Sequence, residues 1–311
     1  VLDRRADAAI IAQIWSRKDR PMCDDLTARE EDLALAAKGL NRREFAAIGA
    51  AGVLATYAGT SAEAAGLKLT EIMVEVPTPD GKADALFVRP AKGKHPGVIM
   101  WPDVAGFRDA YKEMGRRLAA SGFAVLVVNH YYRAGKAPLL ATMAEWRSPA
   151  GQEKLKPAIA TLSADNTVKD VTAFAVWLDK QPSVNRKRGI GTQGYCQTGS
   201  FAIRSAAALP QRIKAAASFH GGGLVTDKPG SPHTLFAKSQ ASFLIAIGRN
   251  DDARAPGDKD ALRAAGQASG RSVEVEVYKA DHGWCTLDAP TYDKAEADRA
   301  WARLLELYKG L

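Results

Sequence analysis

The residues best equipped for chemistry lie in Gly194-Tyr195-Cys196-Gln197-Thr198-Gly199. Small residues on both sides of Cys196 let a strand and a helix approach closely, so the turn between them holds the thiol strained and exposed. At a helix N-terminus the positive end of the dipole favours thiolate, the form that attacks a carbonyl carbon. The backbone N–H of Gln197 is then aimed at the oxyanion that develops. A lone cysteine between strand and helix is often no more than a small core residue, so its partners decide the matter. Asp251 follows in Gly248-Arg249-Asn250-Asp251-Asp252, and His282 in Ala280-Asp281-His282-Gly283. They supply the general base and its orienting carboxylate. The other histidines, His95, His130, His220 and His233, do not fit an order of nucleophile, acid, histidine.

These residues need elements to hold them at strand ends. Ile72 to Pro77 and Ala83 to Arg89, around Pro79-Asp80-Gly81, read as a β-hairpin. Apolar strands then alternate with amphipathic helices. Val98 to Trp101, a helix from about Asp109 to Ser121, Phe123 to Val128 and a helix from about Asn166 to Lys180 come first. Gly189 to Gln193, a helix after Gln197, Ala215 to Phe219 and Phe243 to Ile247 follow, then a helix near Lys259 to Ala268, Val273 to Tyr278, and a closing helix ending near Tyr308. Near-continuous apolar strands joined by helical crossovers predict an α/β fold, a mostly parallel sheet with helices on both faces and an antiparallel N-terminal hairpin. Cys196, Asp251 and His282 each fall at the carboxyl end of a strand, where open α/β sheets bind ligands. The stretches 130–162 and 221–240 interrupt the alternation, and substrate contacts should collect there.

The order Cys196, Asp251, His282 is that of α/β-hydrolases, and residues 67–311 resemble the dienelactone hydrolase family. The elbow is similar to the family's Gly-x-Cys-x-Gly-Gly, with Thr198 in place of the first of the paired glycines. The resemblance implies a Cys196, Asp251, His282 triad that cleaves esters or lactones through a thioester, without metal or organic cofactor. It favours Asp251 as the acid, with Asp252 the alternative one residue away. It implies a second oxyanion N–H from the loop Pro102-Asp103-Val104-Ala105-Gly106, by position that of Val104. The family carries a thiol-gating glutamate in this loop, where Asp103 is one methylene shorter; a turn-forming aspartate is the competing reading of Asp103. The family also holds its substrate carboxylate with an arginine shortly after the histidine. Here that stretch reads His282-Gly283-Trp284-Cys285-Thr286, which offers Trp284 as an aromatic substrate wall and no base before Lys294. Neutral, partly apolar esters or lactones are therefore expected over an acidic lactone.

Other chemistries stay open. The same triad could act on a phosphotriester or a thioester, the fold could serve binding alone, and Cys285 near His282 leaves room for a thiol redox protein. The three cysteines, Cys23, Cys196 and Cys285, have no CxxC spacing and no metal-ligand spacing. The net charge of +8 is spread in mixed-sign clusters with no basic stripe, which argues against a nucleic-acid partner. No apolar stretch reaches the length of a membrane span.

Residues 1–64 read as an address. Asn41-Arg42-Arg43-Glu44-Phe45, the mildly apolar run Ala46 to Ala58, and Ala62-Glu63-Ala64 have the layout of a secretory signal. The paired arginines resemble a twin-arginine signal, which implies a receptor-read export machinery as partner and a periplasmic or otherwise exported product. Translation is expected to begin at Met22, with Cys23 to Leu40 as the charged n-region of the signal. Cleavage is expected after Ala64, leaving 65–311 as one catalytic domain.

Overall fold

A computed structural model describes residues 25–41, 44, 45 and 67–311. Helix α1 spans Asp25–Ala37. The hairpin strands β1 (Leu69–Thr78) and β2 (Gly81–Pro90) pair antiparallel, Thr78 opposite Gly81, as the Asp-Gly signal predicts. Next come β3 (Gly97–Trp101), α2 (Asp109–Ala120), β4 (Ala124–Val128), α3 (Met143–Trp146), α4 (Pro149–Ile159) and α5 (Ala164–Asp179). They are followed by β5 (Ile190–Tyr195), α6 (Gly199–Ala208), β6 (Ile213–Phe219), β7 (Ser242–Gly248), α7 (Arg249–Arg254), α8 (Asp258–Ser269), β8 (Val273–Tyr278) and α9 (Lys294–Tyr308).

The strands form one sheet in the order β1-β2-β4-β3-β5-β6-β7-β8. β2 pairs antiparallel with β4, and every pairing from β4 to β8 is parallel. β3, β4 and β5 are buried along their whole length, which is why their sequences run apolar without alternation. Two cores result, one on each face. Phe174, Leu178, Ile203 and Leu262 bring α5, α6 and α8 onto one face, and Tyr111, Leu118, Ala300 and Leu304 bring α2 and α9 onto the other.

Both interrupting stretches acquire structure. Residues 130–162 contain α3 and α4, each started by a hydroxyl cap, Thr142 accepting from the Glu145 N–H and Ser148 from the Gly151 N–H. Residues 221–240 contain a 3-10 segment, Pro232–Lys238. Among the described residues no helix is long and apolar enough to cross a membrane.

The charged stretch ahead of the paired arginines folds against the catalytic domain. Leu35 is buried, Glu30 accepts from Asn250 and Arg254, and Arg147 pairs with Glu31 at 2.7 Å and Asp32 at 3.0 Å. Lys38 donates to the carbonyls of Pro290 and Tyr292 at 2.7 and 3.1 Å. Arg147 is 7% exposed, so its pairs are shielded from the screening that weakens surface ion pairs. Met22, Cys23, Arg42-Arg43, the apolar run 46–58 and Ala62-Glu63-Ala64 lie outside the described residues. Changing Glu30 and Glu31 to Gln and Asp32 to Asn should raise amide exchange across α1 about tenfold while leaving the sheet protected. Hydrogen-exchange mass spectrometry reads this, and unchanged exchange in α1 would mean that Leu35 and its apolar contacts hold the helix.

Candidate active site

β5 runs into a 3-10 turn at Cys196–Thr198 and then into α6, so the thiol stands at a strand-to-helix corner. Cys196 has φ of +53°, a left-handed conformation that costs a non-glycine residue about 1–2 kcal/mol. The flanking glycines make the corner possible. A Cβ at Gly194 would lie 2.1 Å from the Thr198 carbonyl oxygen, and one at Gly199 would lie 2.5 Å from Gly221 Cα. Thr198, the departure from the family pattern, ties the turn instead of crowding it. Its Oγ1 accepts the Tyr195 N–H at 2.9 Å and donates to the Trp101 carbonyl at 2.9 Å, joining the elbow to the end of β3.

His282 meets Asp251 and not Asp252. Its Nδ1 lies 2.9 and 3.1 Å from the two Asp251 carboxylate oxygens, whereas Asp252 Oδ2 accepts from Lys259 at 2.8 Å. Asn250 fixes both loops, its Oδ1 accepting from the N–H groups of Asp251 at 3.0 Å and His282 at 2.8 Å. Thr291 adds a hydroxyl donated to the His282 carbonyl at 2.6 Å. Burial by itself would lower the pKa of the His282 imidazole, but Asp251 and then Cys196 outweigh it, so the ring holds its proton well above the usual range. The Cys196 sulfur and one ring nitrogen each of His282 and His220 lie within 4.8 Å of one another, all three residues buried.

Val104 and Gln197, the two residues expected from sequence to supply oxyanion N–H groups, lie near each other. Gln197 lies in the first turn after the elbow, where backbone N–H groups have no carbonyl partner behind them. Tyr131 links the two candidates, its hydroxyl lying 3.0 Å from the Val104 carbonyl and 3.1 Å from Gln197 Oε1.

Asp103 is placed differently from a thiol gate. Both its oxygens accept from Arg108, at 2.7 and 3.0 Å, and Oδ1 also accepts the Ala105 N–H at 2.9 Å. The geometry is that of the turn-forming aspartate. Arg108 is fully buried and shares its charge with Asp288, so the pair is a structural ion cluster. Trp284 likewise lies in the core, not on an open wall; it stacks on Tyr278 at 5.2 Å and meets His220 edge-on at 5.3 Å. Cys285 forms no disulfide, and burial pushes its thiol pKa up, away from reactive thiolate. Together with Tyr195, Phe219 and Trp301 it lines a separate cavity against α2 and α9.

Sequence reasoning passed over His220 and Asn250. His220 follows β6 in Phe219-His220-Gly221 and so carried the signal of a strand's carboxyl end, set aside because it stands outside the triad order.

A mostly parallel sheet with Cys196 at a strand-to-helix corner after β5, and with the Asp251 and His282 loops after β7 and β8, has the architecture of the α/β-hydrolase class. Within that class the chain belongs to the dienelactone hydrolase family, whose sequence profile matches residues 83–311. Among its relatives, a Synechocystis protein named "Putative carboxymethylenebutenolidase" is 25% identical over 225 residues, 70% of this chain and 87% of that one. A Bradyrhizobium protein named "Probable 2-oxo-3-(5-oxofuran-2-ylidene)propanoate lactonase" is 26% identical over 230 residues, 71% of this chain and 86% of its own. Among solved structures, a Klebsiella pneumoniae "Putative Dienelactone Hydrolase" superposes with a TM-score of 0.68 at 22% identity, covering 78% of this chain and 100% of that one. A dienelactone hydrolase-like promiscuous phosphotriesterase from metagenomic libraries gives 0.62 at 22% identity, covering 78% and 98%. The chain is thus a hydrolase of this family.

His130 generates a test of the site's electrostatics. Its ring is buried with neither nitrogen hydrogen-bonded, and burial, aided by the Arg108 charge, depresses its pKa to about 3. His220 is lowered too, by burial and then by His282. A depressed histidine contributes stability that is complete above its unfolded pKa near 6.5 and is lost as pH falls toward the folded value. Each such histidine should cost about 1.4 kcal/mol per pH unit across that window. His282, shifted upward, contributes in the opposite sense and adds nothing to this acid loss. Urea unfolding of the wild type and His130→Phe at pH 7, 5 and 4 should show a shallower fall for the variant. Parallel curves would mean that His130 is already protonated in the fold.

Proposed function

We propose that this protein hydrolyses carboxylic esters or lactones through a Cys196, His282, Asp251 triad and a thioester intermediate. The observation that carries this reading is the His282 ring, gripped by Asp251 on one nitrogen while the strained elbow holds the Cys196 sulfur beside it. Cys196 gives its proton to His282, and the sulfur attacks the carbonyl carbon. The developing oxyanion is held by the N–H groups of Gln197 and Val104. As the tetrahedral species collapses, the carbon–oxygen bond to the leaving group breaks and His282 protonates the departing alkoxide. His282 next removes a proton from water, which attacks the thioester; the acid is released and the thiol restored. In a lactone the alkoxide remains tethered to the acyl group.

Neutral, partly apolar substrates fit best. Three arginines already have carboxylate partners: Arg108 has Asp103 and Asp288, Arg133 has Asp80 and Asp170, and Arg147 has Glu31 and Asp32. A carboxylate entering without a guanidinium would cost several kcal/mol to desolvate.

Cys196→Ala and His282→Ala should each lower kcat about a thousandfold or more without unfolding the domain, because both act in one covalent sequence. Asp251→Asn should lower it far more than Asp252→Asn. Steady-state kinetics on an aryl ester, with thermal melts as control, read both, and a damaging Asp252→Asn would displace the acid assignment. The ratio of kcat/KM for an uncharged aryl ester to that for a dienelactone of similar size should exceed one. A strong preference for the carboxylate-bearing lactone would show that one of the paired arginines opens to substrate. Faster turnover of a phosphotriester than of any carboxyl ester would replace the proposed reaction.

We also propose that the chain is exported to the periplasm by the twin-arginine route and trimmed after Ala64, on the strength of Arg42-Arg43 and Ala62-Glu63-Ala64. Mass spectrometry of the native protein should find an N-terminus at Ala65 in an exported fraction. An untrimmed N-terminus in the cytoplasmic fraction would sink the proposal.

A further inference from the structure

His220 carries three features that a histidine filling core space does not need. Its backbone φ is +41°, which places it and Cys196 as the two non-glycine residues with positive φ among those described. Its ring Nδ1 lies 3.1 Å from the Cys196 backbone nitrogen. Its Nε2 is buried and has no hydrogen-bond partner. An amide can only donate, so Nδ1 must offer its lone pair and the proton of the neutral ring must sit on Nε2. Leaving that N–H unpaired carries a desolvation penalty, and the left-handed backbone adds conformational strain. The ring is kept in place despite both. Trp284 packs edge-on at 5.3 Å, His282 edge-on at 4.7 Å, and the His220 N–H donates to the Ala246 carbonyl at 2.8 Å.

We propose that His220 is a positioning residue for the nucleophile: its Nδ1 accepts the Cys196 N–H and so fixes the left-handed elbow that aims the sulfur at its target. The proposal rests on Cys196 being the nucleophile. The bond is well suited to its task, because Cys196 is the first residue of the turn after β5, where a backbone N–H has no carbonyl of the preceding turn to pair with and His220 Nδ1 accepts it instead. It also bears on the alternative that Cys196, His220 and His282 jointly hold a metal ion, since their donor atoms lie close enough to suggest one. With Nδ1 committed to an amide, Nε2 keeps its proton and has no lone pair to give. Metal binding there would require the ring to leave Cys196.

Side-chain isosteres separate the roles. His220→Asn places an amide oxygen near the position of Nδ1 and tolerates positive φ, His220→Gln reaches toward the position of Nε2, and His220→Leu offers no acceptor. The measurements are kcat and KM on an aryl ester, the rate of Cys196 carbamidomethylation by iodoacetamide, and the thermal midpoint of each variant. His220→Leu and His220→Gln should lower kcat about a hundredfold with KM nearly unchanged, and His220→Asn should recover most of it. Carbamidomethylation should follow the same ranking, since it reports the thiol without needing an ester. Wild-type kcat in the Leu variant, or an Asn variant no better than Gln, would overturn the proposal; if the Leu variant fails to fold, the comparison of Asn with Gln decides alone. Wild-type protein that carbamidomethylates at Cys196 but turns over no ester would instead refute the hydrolytic reading, leaving the alkylation ranking to judge His220. Zinc bound stoichiometrically by the wild type and lost in His220→Asn would replace the hydrogen-bonded role with ligation.

Discussion

The left-handed conformation of Cys196 is the constraint on which the rest of the site depends. A residue with φ of +53° between strand and helix cannot be reached by local preference, so its surroundings must hold it. Three neighbouring strands contribute. β5 supplies Gly194, whose missing side chain leaves room for the Thr198 carbonyl; β3 offers the Trp101 carbonyl to the Thr198 hydroxyl; and His220, directly after β6, accepts the Cys196 N–H at Nδ1. Hydrogen bonds worth about 1 kcal/mol apiece are enough to offset a strain of similar size. The strained residue therefore sits at the middle of the sheet, where such anchors exist on both sides.

The electrostatics of the site follow from how its charges are separated. Asp103 lies on the loop after β3, beside Val104, the proposed oxyanion donor, and its carboxylate is paired with Arg108. A bare carboxylate in that loop would oppose thiolate formation. With Asp103 paired to Arg108, the acidic influence on His282 comes from Asp251 on one side and the thiol on the other, and both raise its proton affinity. His220, though adjacent, stays neutral because burial and the neighbouring His282 charge both act against its protonation. One imidazole is thereby tuned to hold a proton and the other to do without.

Much of this could be read from sequence, and the parts that could not share a cause. The strands after Leu69 are found within a few residues of their expected bounds, because continuous apolar runs bounded by glycine and proline leave little choice. Cys196 and His282 stand out by context, and Asp251 by its place after a strand. Choosing Asp251 over Asp252 required the pitch of α7, which turns the two carboxylates to opposite partners, His282 and Lys259. Asp103 went astray because sequence proximity to the oxyanion loop says nothing about Arg108, five residues on, folding back onto it. Trp284 follows the same logic: its nearness to His282 in the chain suggested a pocket wall, but the turn after His282 points it inward to Tyr278. His220 was legible as a strand-end residue and illegible as a partner of Cys196, since that contact crosses from one strand to the next.

α1 shows how far the same network extends. Asn250 joins the Asp251 and His282 loops through Oδ1 and donates to Glu30 through Nδ2, so the helix reaches Asp251 through a single side chain. Arg254 is shared along the same line, pairing closely with Glu30 while its other guanidinium nitrogen stays 3.6 Å from Asp251. Were Glu30 absent, Arg254 would have only Asp251 of these two carboxylates to pair with, and a cation drawn onto Asp251 would weaken the hold of that carboxylate on the His282 proton. Glu30 thus takes the closer share of the Arg254 charge, which Asp251 meets only at 3.6 Å. In the untrimmed chain the acidic helix ahead of the catalytic domain is thus linked to Asp251 through Asn250 and Arg254, a link that the proposed trimming after Ala64 would remove.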